Sequence, residues 1–428
     1  MKKAVLWLTI IIVVLALTGC SKSSQSGSGS GASNNFVRIA TDNGQYGVWF
    51  NNLKAEAERA TGLQIDFVVP ALTGLEAMLT EVASGGASEI DAWHIDGPLV
   101  PELADKGAII PIDKWMKAED IADFFDVSIE TVTHDGKIYA YPYITHGLNL
   151  FYNRDMLEAA NVAPPTTLDE IVAASIKLTD ASKGIYGFAV EGFQSAEPVG
   201  HLIDTILRFG GSGLVDRNMQ ISYGDQATID AYIWLHDMIY KHQCAPPESA
   251  GWHNGDTAAA LQQGKVAMIF NWPYLYYESK DPSSTAESIV GRIGVVPAPK
   301  TACVWSWVWG MMATSKRQDN AFKFMEWACS PDSVYNFSTT LLVPVARKSV
   351  YDRITNSNIS PSDKDAILNL TRTVENGFSH PLPTDFGTLR LSVAEYLSRI
   401  MSTRNIDIAA EVRRSAAVLR EIHTENGY

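Results

Sequence analysis

The sequence predicts an α/β protein with more than one lobe. Between residues 36 and 105, three short apolar segments with strand character each precede a segment whose apolar residues have helical spacing. Strands that alternate with helices pair in parallel through right-handed crossovers, which builds a doubly wound sheet covered by helices. The length of 428 residues allows two cores of ordinary size. We therefore expect two or three domains, of which the first is doubly wound.

The first lobe is predicted to contain the loops that meet a ligand. The strands are predicted at Phe36–Ala40, Gln64–Val69 and Glu89–Ile95, and the helices at Val48–Ala60, Leu75–Ala83 and Leu99–Asp105. In doubly wound sheets, ligands bind beyond the carboxyl ends of the strands. This rule points to Asp42–Tyr46, to residues 71–74 and to Asp91–Asp96.

The central stretch Lys137–Leu178 is predicted to contain two adjacent strands and two helices. Apolar and tyrosine side chains fill Ile138–Tyr143 and Leu148–Asn153, as is typical of strands. Pro164-Pro165 ends the first helix, and Thr167–Glu170 fits a capping box that starts the second.

The rest of the chain continues to alternate before it becomes helical. Gly264 lies between a helical segment and a buried strand, so we expect it to cap the helix in a left-handed conformation. The predicted strands are Gly187–Glu191 and 311–315, and the predicted helices are Val199–Phe209, Ala227–His242, Asn320–Ala328, Ser362–Asn376, Thr388–Met401 and Ile408–Ile422.

Residues 1–19 have the pattern of a signal peptide. Two lysines precede an uncharged apolar run that is too short for a comfortable membrane span. Leu17-Thr18-Gly19-Cys20 resembles a bacterial lipobox, so we predict that Cys20 becomes the lipidated first residue. The alternatives are an ordinary signal peptide or a signal anchor. Residues 20–35 are rich in Ser and Gly and are predicted to form a flexible tether.

Charge and cysteine content exclude some functions and leave others open. The formal charge is −14, and loss of residues 1–19, which hold two lysines and no acid, makes it −14 − 2 = −16. Such an acidic surface repels phosphate backbones, so we expect no nucleic-acid binding. Cys244, Cys303 and Cys329 are an odd number in an oxidising compartment. One disulfide with one free thiol and three buried free thiols are both open.

Several segments occur in an order that resembles the extracellular solute-binding proteins, family 1, which are the sugar-capturing subunits of ABC importers. The segments that carry the resemblance are Tyr139–Tyr143, Leu150–Met156, Pro165–Glu170, Ala258–Pro273, Gly294–Pro299 and Leu342–Arg347. The resemblance covers roughly residues 36–428. The sequence departs from the family pattern at Trp305–Gly310 and in having Cys303 and Cys329.

The resemblance implies a type II periplasmic binding protein, in which two doubly wound lobes are joined by a hinge of several crossings. Lobe 1 would comprise residues 36–146 and 300–347, and lobe 2 residues 147–299 and 348–428. A solute that bridges both lobes would favour a closed form, which a membrane permease then recognises. The implied protein is a monomer without enzymatic activity, cofactor or metal ion.

Tryptophans are the residues that point most directly to a carbohydrate. Their indole faces pack against the apolar face of a sugar ring, while carboxylates and amides bind its hydroxyl groups. We place Trp272 and Trp307 in the ligand site and treat Trp93, Trp252 and Trp305 as further candidates, with core packing as the alternative. We expect at least one residue of the series Trp305, Trp307 and Trp309 to turn away from the cleft.

By resemblance, polar partners come from several loops and from the crossings between lobes. Arg347 could equally form a structural ion pair, and His146 could be a satisfied turn residue. The candidates are Asn43, Gln45, Asp91, Asp96, Tyr143, His146, Glu191, Asn271 and Arg347.

Three other functions compete with sugar capture. Acidic residues beside aromatic ones would suit a cationic solute such as a polyamine. The pair Tyr276-Tyr277 is the one hint of ferric-ion capture. A secreted glycoside hydrolase would need a carboxylate pair such as Asp91 with Asp96, or Asp155 with Glu158. Separated carboxylates in an acidic protein are usually solvated surface, so we rank the hydrolase last.

Overall fold

The computed structural model describes residues 35–42, 44–70, 75–300 and 302–428. Its strands form two large mixed sheets and one short hairpin. The strands are β1 (Phe36–Ala40), β2 (Gln64–Val68), β3 (Ala92–Asp96), β4 (Thr133–His134), β5 (Lys137–Ile138), β6 (Ala140–Gly147), β7 (Asn149–Asn153), β8 (Tyr186–Phe188), β9 (Val266–Asn271), β10 (Ile293–Pro297), β11 (Cys303–Met311) and β12 (Phe378–Ser379).

Helices cover both sheets. They are α1 (Gln45–Asn52), α2 (Lys54–Thr61), α3 (Leu75–Ala83), α4 (Val100–Asp105), α5 (Ala118–Asp123), α6 (Asp126–Glu130), α7 (Arg154–Ala159), α8 (Leu168–Leu178), α9 (Ala196–Arg208), α10 (Gln226–Tyr240), α11 (Asn254–Gln262), α12 (Tyr274–Glu278), α13 (Gln318–Ala328), α14 (Pro331–Leu341), α15 (Lys348–Thr355), α16 (Pro361–Glu375), α17 (Phe386–Ser402) and α18 (Ile408–Glu425). The α/β class predicted from the sequence is confirmed.

The first sheet has β11 at its centre. Strand β1 pairs in parallel with β2 and β3, as the alternation of strands and helices predicts. Strand β3 then pairs antiparallel with β11, whose other edge pairs antiparallel with β6 along most of its length. The short strand β12 extends the edge that β3 occupies. The sheet is therefore mixed, with parallel pairs among β1, β2 and β3 and between β11 and β12.

The second sheet has the order β10-β7-β9-β8. The β8–β9 pair is parallel, whereas β7 pairs antiparallel with both β9 and β10. Strand β6 of the first sheet leads through Leu148 directly into β7 of the second, and β10 leads back to β11 through residues 298–302. The chain therefore connects the two sheets by short segments.

Local capping signals set several boundaries as predicted. The Thr167 hydroxyl accepts the backbone N–H of Glu170 at 3.1 Å, and the Glu170 carboxylate accepts the N–H of Thr166 at 2.7 Å. Gly264 has φ +68° after helix α11, which confirms its predicted left-handed cap. These bonds satisfy donors and acceptors that the helix ends leave unpaired.

Predicted and observed bounds differ at several elements, for example at β6 (Ala140–Gly147) and β8 (Tyr186–Phe188) and at the following three. The single helix Val48–Ala60 is two helices, α1 and α2, which meet at Leu53 after two asparagines of low helix propensity. Strand β3 begins at Ala92 rather than at residue 89, because Glu89 has φ +55° and cannot be extended. The strand predicted at 311–315 is displaced: β11 spans Cys303–Met311, contains the tryptophan series and overlaps the predicted strand only at Met311.

Buried apolar residues form two clusters. One surrounds the first sheet and contains Phe50, Trp309 and Phe324, and the other joins the second sheet to helices α9, α10 and α17. Neighbouring residues Leu150 and Phe151 of β7 belong to different clusters, because successive side chains of a strand point to opposite faces. Cys244, Cys303 and Cys329 are all buried and free, so the structure has three buried thiols rather than one disulfide and one thiol.

Among the described residues, no helix is long and apolar enough to cross a membrane. The predicted signal peptide, Cys20 and most of the predicted tether lie outside the described residues.

Candidate ligand-binding cleft

A cavity of about 360 Å³ lies where elements of both sheets meet. On the side of the first sheet, the lining comes from the segment after β1, the end of β3, and side chains of β6 and β11. On the side of the second sheet, it comes from helices α9, α11 and α17 and from the segment after β9. The lining residues are Asp42, Gly44, Gln45, Tyr46, Asp96, Pro98, His146, Glu197, Gly200, Asn254, Trp272, Tyr274, Glu278, Trp305, Trp307 and Arg390.

Trp307 lies on the side of the first sheet, where it stacks on His94, which is itself fixed by two hydrogen-bonding partners. The His94 ring stacks on the Trp307 ring with 4.7 Å between centroids. Its Nδ1 lies 2.8 Å from the Asp42 carboxylate and its Nε2 2.5 Å from the Tyr143 hydroxyl. Burial alone would raise the pKa of Asp42, but the hydrogen bond and charge of His94, with backbone N–H groups, hold it below its usual value. The indole is therefore fixed in place before any ligand arrives.

Trp272 is positioned by the residue before it. The Asn271 side chain accepts the backbone N–H of Trp272 at 2.7 Å and donates to the backbone oxygen of Asn254 at 3.0 Å. The indole then packs against the His146 ring, with centroids 5.2 Å apart. Asn271 is buried and does not line the cavity, so it acts as a support for the Trp272 loop.

The series Trp305, Trp307 and Trp309 divides between cavity and core. Trp305 lines the cavity and packs against Phe386. Trp309 is fully buried and packs edge-on against Phe50 and Phe324. The three residues are spaced two apart along β11, so their side chains leave the same face of the strand. What differs is how far along the strand each one lies. The pairing of β11 with β6 also shifts in register between Trp307 and Val308.

Acidic groups and one guanidinium provide the polar part of the wall. Burial raises the pKa of Asp96 and of Glu197, and the nearby Arg390 opposes that rise in both. Arg390 donates to the backbone oxygen of Ala196 at 2.7 Å, which holds its head at the wall. Burial lowers the pKa of His146 to about 3, so this ring is neutral at physiological pH and its Nδ1 has no described partner.

The walls thus combine flat aromatic faces with hydrogen-bonding groups that can meet hydroxyl or amine groups. A cavity of this size and composition is typical of a site for a small organic ligand. It offers aromatic faces for stacking and polar groups for hydrogen bonding.

Of the fourteen ligand-site residues predicted from the sequence, six line this cavity. They are Gln45, Asp96, His146, Trp272, Trp305 and Trp307. Asn43 lies outside the described residues.

Asp91 and Arg347 are buried elsewhere, where charged partners hold them. The Asp91 carboxylate accepts from Arg317 Nε at 2.9 Å and from the Ser315 hydroxyl at 2.7 Å. Arg347 pairs with Asp120 at 2.7 Å and Asp123 at 3.0 Å, the structural ion pair left open by the sequence.

The remaining proposed residues lie behind the cavity wall or away from it. Trp93 is buried in the first core, and Trp252 packs against the same cluster. Tyr143 lies beneath the cavity and binds His94. Glu191 is buried and accepts the Thr257 hydroxyl at 2.9 Å. None of these four side chains is among the residues that line the cavity.

Several lining residues were absent from the sequence-based set. Asp42 and Tyr46 are the two ends of the segment Asp42–Tyr46, to which the strand-end rule points, and Tyr274 follows Trp272 by two positions. Proximity in the sequence was therefore a usable signal. Glu197 and Arg390 carry no such signal. They are separated by 193 positions (390 − 197) and meet at the cavity only through the packing of α9 against α17.

Comparison with known proteins agrees with this architecture. A model of the bacterial extracellular solute-binding protein family matches residues 40–335. The erythritol/L-threitol-binding protein of Mycolicibacterium smegmatis is 22% identical over 368 residues, covering 78% of this chain and 75% of that protein. A probable ABC transporter-binding protein of Deinococcus radiodurans is 25% identical and covers 64% and 68% respectively.

The solved structure of maltose-bound MalE3 from T. maritima superposes with a TM-score of 0.78 at 20% identity, covering 90% of this chain and 99% of that one. This likeness establishes the periplasmic-binding-protein fold. The relatives are binding proteins by name rather than enzymes. Because the family model spans well over half of the sequence, this chain belongs to the bacterial extracellular solute-binding protein family.

Proposed function

We propose that the protein is a lipid-anchored receptor that captures a small carbohydrate outside the cytoplasm and delivers it to the permease of an ABC importer. The observation that carries this proposal is the cavity in which Trp272, Trp305 and Trp307 stand beside carboxylates and a guanidinium. The family is extracellular. Relatives that bind maltose or the polyols erythritol and threitol support a polyhydroxylated ligand.

The wall chemistry suits a sugar ring. An indole face covers the apolar C–H face of the ring, and the carboxylates of Asp96 and Glu197 accept from its hydroxyl groups. Arg390 donates to ring or hydroxyl oxygens. An affinity of about 1 μM corresponds to only about 8 kcal/mol, which a few such contacts supply after ordering costs. An unpaired polar group in the closed cavity costs about 1–3 kcal/mol, which gives stereochemical selectivity.

Capture is proposed to involve movement of two lobes. We assign lobe 1 to about residues 36–146 and 300–347, and lobe 2 to about 147–299 and 348–428. The short connections between the sheets are the proposed hinge, and a ligand that touches both walls favours closure by its differential affinity for the closed form. The protein acts as a monomer tethered through Cys20 and residues 20–35.

A cationic solute is the second candidate, and the charge of the cavity favours it. Four carboxylates line the cavity, from Asp42, Asp96, Glu197 and Glu278, against one guanidinium, from Arg390. A polyamine would place its ammonium groups between these acids and its methylene chain along the indoles.

Thermal unfolding with a ligand panel separates the two candidates, because a bound ligand raises the melting temperature by mass action. The panel contains maltose, maltotriose, erythritol, ribitol, spermidine and ferric citrate. We expect a sugar or polyol to shift the transition. If spermidine alone raises the melting temperature, the ligand is a polyamine and the carbohydrate proposal is wrong. Hydrolysis of a glycoside by the protein, measured separately, would instead support a glycoside hydrolase.

The variant Trp272→Ala tests the stacking role. We expect at least about tenfold weaker binding of the panel ligand that shifts the wild type, since about 1.4 kcal/mol is tenfold. Trp327→Ala is the matched control, because this half-buried indole packs on Phe324 and does not line the cavity. Equal affinity of Trp272→Ala and the wild type, measured by calorimetry, removes Trp272 from the site.

The anchor is tested in cells. Cys20→Ser should move the protein from the membrane fraction to the soluble or unprocessed fraction and abolish labelling by radioactive palmitate. Retention of label in Cys20→Ser would remove Cys20 as the lipidation site.

A further inference from the structure

We propose that Glu191, Glu197 and His201 form a binding site for a divalent first-row transition-metal ion at the wall of the cavity. One atom from each of these side chains lies within 4.8 Å of the others. The site goes beyond the proposed capture of a solute, and it departs from the sequence expectation of no metal.

The placement of the three residues follows from helix α9 and the loop before it. Glu197 lies in the first turn of α9, and His201 follows four residues later on the same face. This spacing is the one at which two side chains of a single helix converge on a metal ion. Glu191 reaches them from the loop after β8, so two elements supply the set.

The distances fit metal coordination. Glu191 Oε2 and His201 Nε2 lie 3.4 Å apart. Zinc–nitrogen and zinc–oxygen bonds of about 2.0–2.2 Å at a tetrahedral angle separate two ligand atoms by roughly 3.4 Å. The same distance is long for a hydrogen bond between the two groups.

A second observation points to a missing partner. Glu191 is 5% exposed and His201 9% exposed. Glu191 Oε2, Glu197 Oε1 and His201 Nε2 are each buried without a hydrogen-bond partner. Within the part of the chain that the structure describes, no Lys or Arg lies within ion-pair distance of either glutamate, and Arg390 acts on Glu197 only from farther away. Three converging orphan atoms cost free energy that one cation would recover.

The second carboxylate oxygen of Glu191 has a hydrogen-bond partner, as carboxylate ligands in metal sites do. Glu191 Oε1 accepts the Thr257 hydroxyl at 2.9 Å. Such outer-shell partners fix the direction of a ligand's free oxygen.

The donor set selects the ion. Imidazole nitrogen with carboxylate oxygens suits Zn²⁺, Mn²⁺, Co²⁺ or Ni²⁺ rather than Mg²⁺ or Ca²⁺, which prefer oxygen alone. The two carboxylates balance the charge of a divalent ion. Glu197 lines the cavity whereas Glu191 and His201 lie behind it. Three protein ligands leave a coordination position open for water or another small ligand.

The test uses the full-length protein in detergent, stripped with EDTA and titrated with ZnCl₂ alone, so its outcome does not depend on any sugar. We expect one equivalent to bind with a Kd on the order of 1 μM or below, and Co²⁺ to give a visible absorption band of a low-coordinate site. Glu191→Gln and His201→Gln should each weaken binding by about a hundredfold or more, because loss of outer-shell partners alone costs about 10–100-fold.

The matched control is His134→Gln. His134 lies in a second, largely exposed group with Asp105 and Asp135, so its loss should leave the tight equivalent unchanged. Circular dichroism and thermal unfolding accompany each variant. If Glu191→Gln or His201→Gln unfolds the protein, zinc binding is measured with Glu197→Gln instead, because the Glu197 side chain lies at the cavity wall. Millimolar Zn²⁺ binding, or tight binding that survives Glu191→Gln, His201→Gln or Glu197→Gln, overturns the proposal.

Discussion

The buried ion pair Asp204–Arg208 on helix α9 allows a quantitative test of how the crossing between the sheets is held. Both side chains are at most 1% exposed. Asp204 Oδ1 accepts the Cys303 backbone N–H at 2.7 Å, and Arg208 Nε donates to the Pro299 oxygen at 3.3 Å. The pair therefore ties α9 to the segment that leads from β10 into β11.

The perturbation is Asp204→Ala, and its expected effect is large. Removing one partner of a buried pair leaves an uncompensated charge and costs about 3–5 kcal/mol of unfolding free energy. The matched control is Asp237→Ala on α10, whose partner Lys241 also lies four residues away. Because the side chains of Lys241 and Asp237 are 67% and 23% exposed, that loss should be about 0.3–0.5 kcal/mol.

The assay is urea unfolding followed by circular dichroism and tryptophan fluorescence. Burial raises the pKa of Asp204 to about 6 although Arg208 opposes the rise. The measurement is therefore made at about pH 7.5, where the carboxylate is ionised. Combining Asp204→Ala with Arg208→Met should recover much of the loss, since an apolar pair needs no compensation. A loss below about 1 kcal/mol for Asp204→Ala would refute the reasoning.

Three other changes test the pH response, the packing and the thiols. Burial lowers the pKa of His380 to about 4, so the unfolding free energy falls as the pH drops from about 6.5 towards 4. Urea titrations at about pH 7.5 and pH 5 measure this fall, and His380→Gln should make the difference between the two free energies smaller by roughly 2 kcal/mol. A Cβ on Gly47 would clash with the backbone oxygen of Asp42, so Gly47→Ala should lower the unfolding free energy by about 1–3 kcal/mol in the same assay. Gly251→Ala, with open space around it, should cost far less. The buried, free cysteines should react with Ellman's reagent in urea and not in the native protein, and oxidised thiols in urea would contradict the structure.

Local chemistry explains what could be predicted from the sequence. The bounds of β1 and α3 match the prediction, and the cap at Thr167 and the turn at Gly264 form as expected. Each depends on hydrogen bonds or backbone conformations within a few residues. The family resemblance was equally accessible, because its motifs are short segments in a fixed order.

Which residues line the cavity was harder to predict from the sequence than the local structure. Trp305, Trp307 and Trp309 have the same alternation along β11, yet Trp309 is in the core because Phe50 and Phe324 pack around it. Asp91 and Arg347 were reasonable polar candidates until Arg317 and Asp120 proved to be their partners. The identity of a neighbour distant in the chain decides whether a polar side chain is a ligand group or a structural one.

By itself, the sequence determined the α/β class, the family and the supply of aromatic and acidic groups from which a site is made. Tertiary structure alone decided that Glu197 on α9 and Arg390 on α17 share a wall with Asp96 of β3. The reason is physical: periodicity and capping are local, whereas a cavity depends on which side chains remain unpaired after helices and strands distant in the chain have packed.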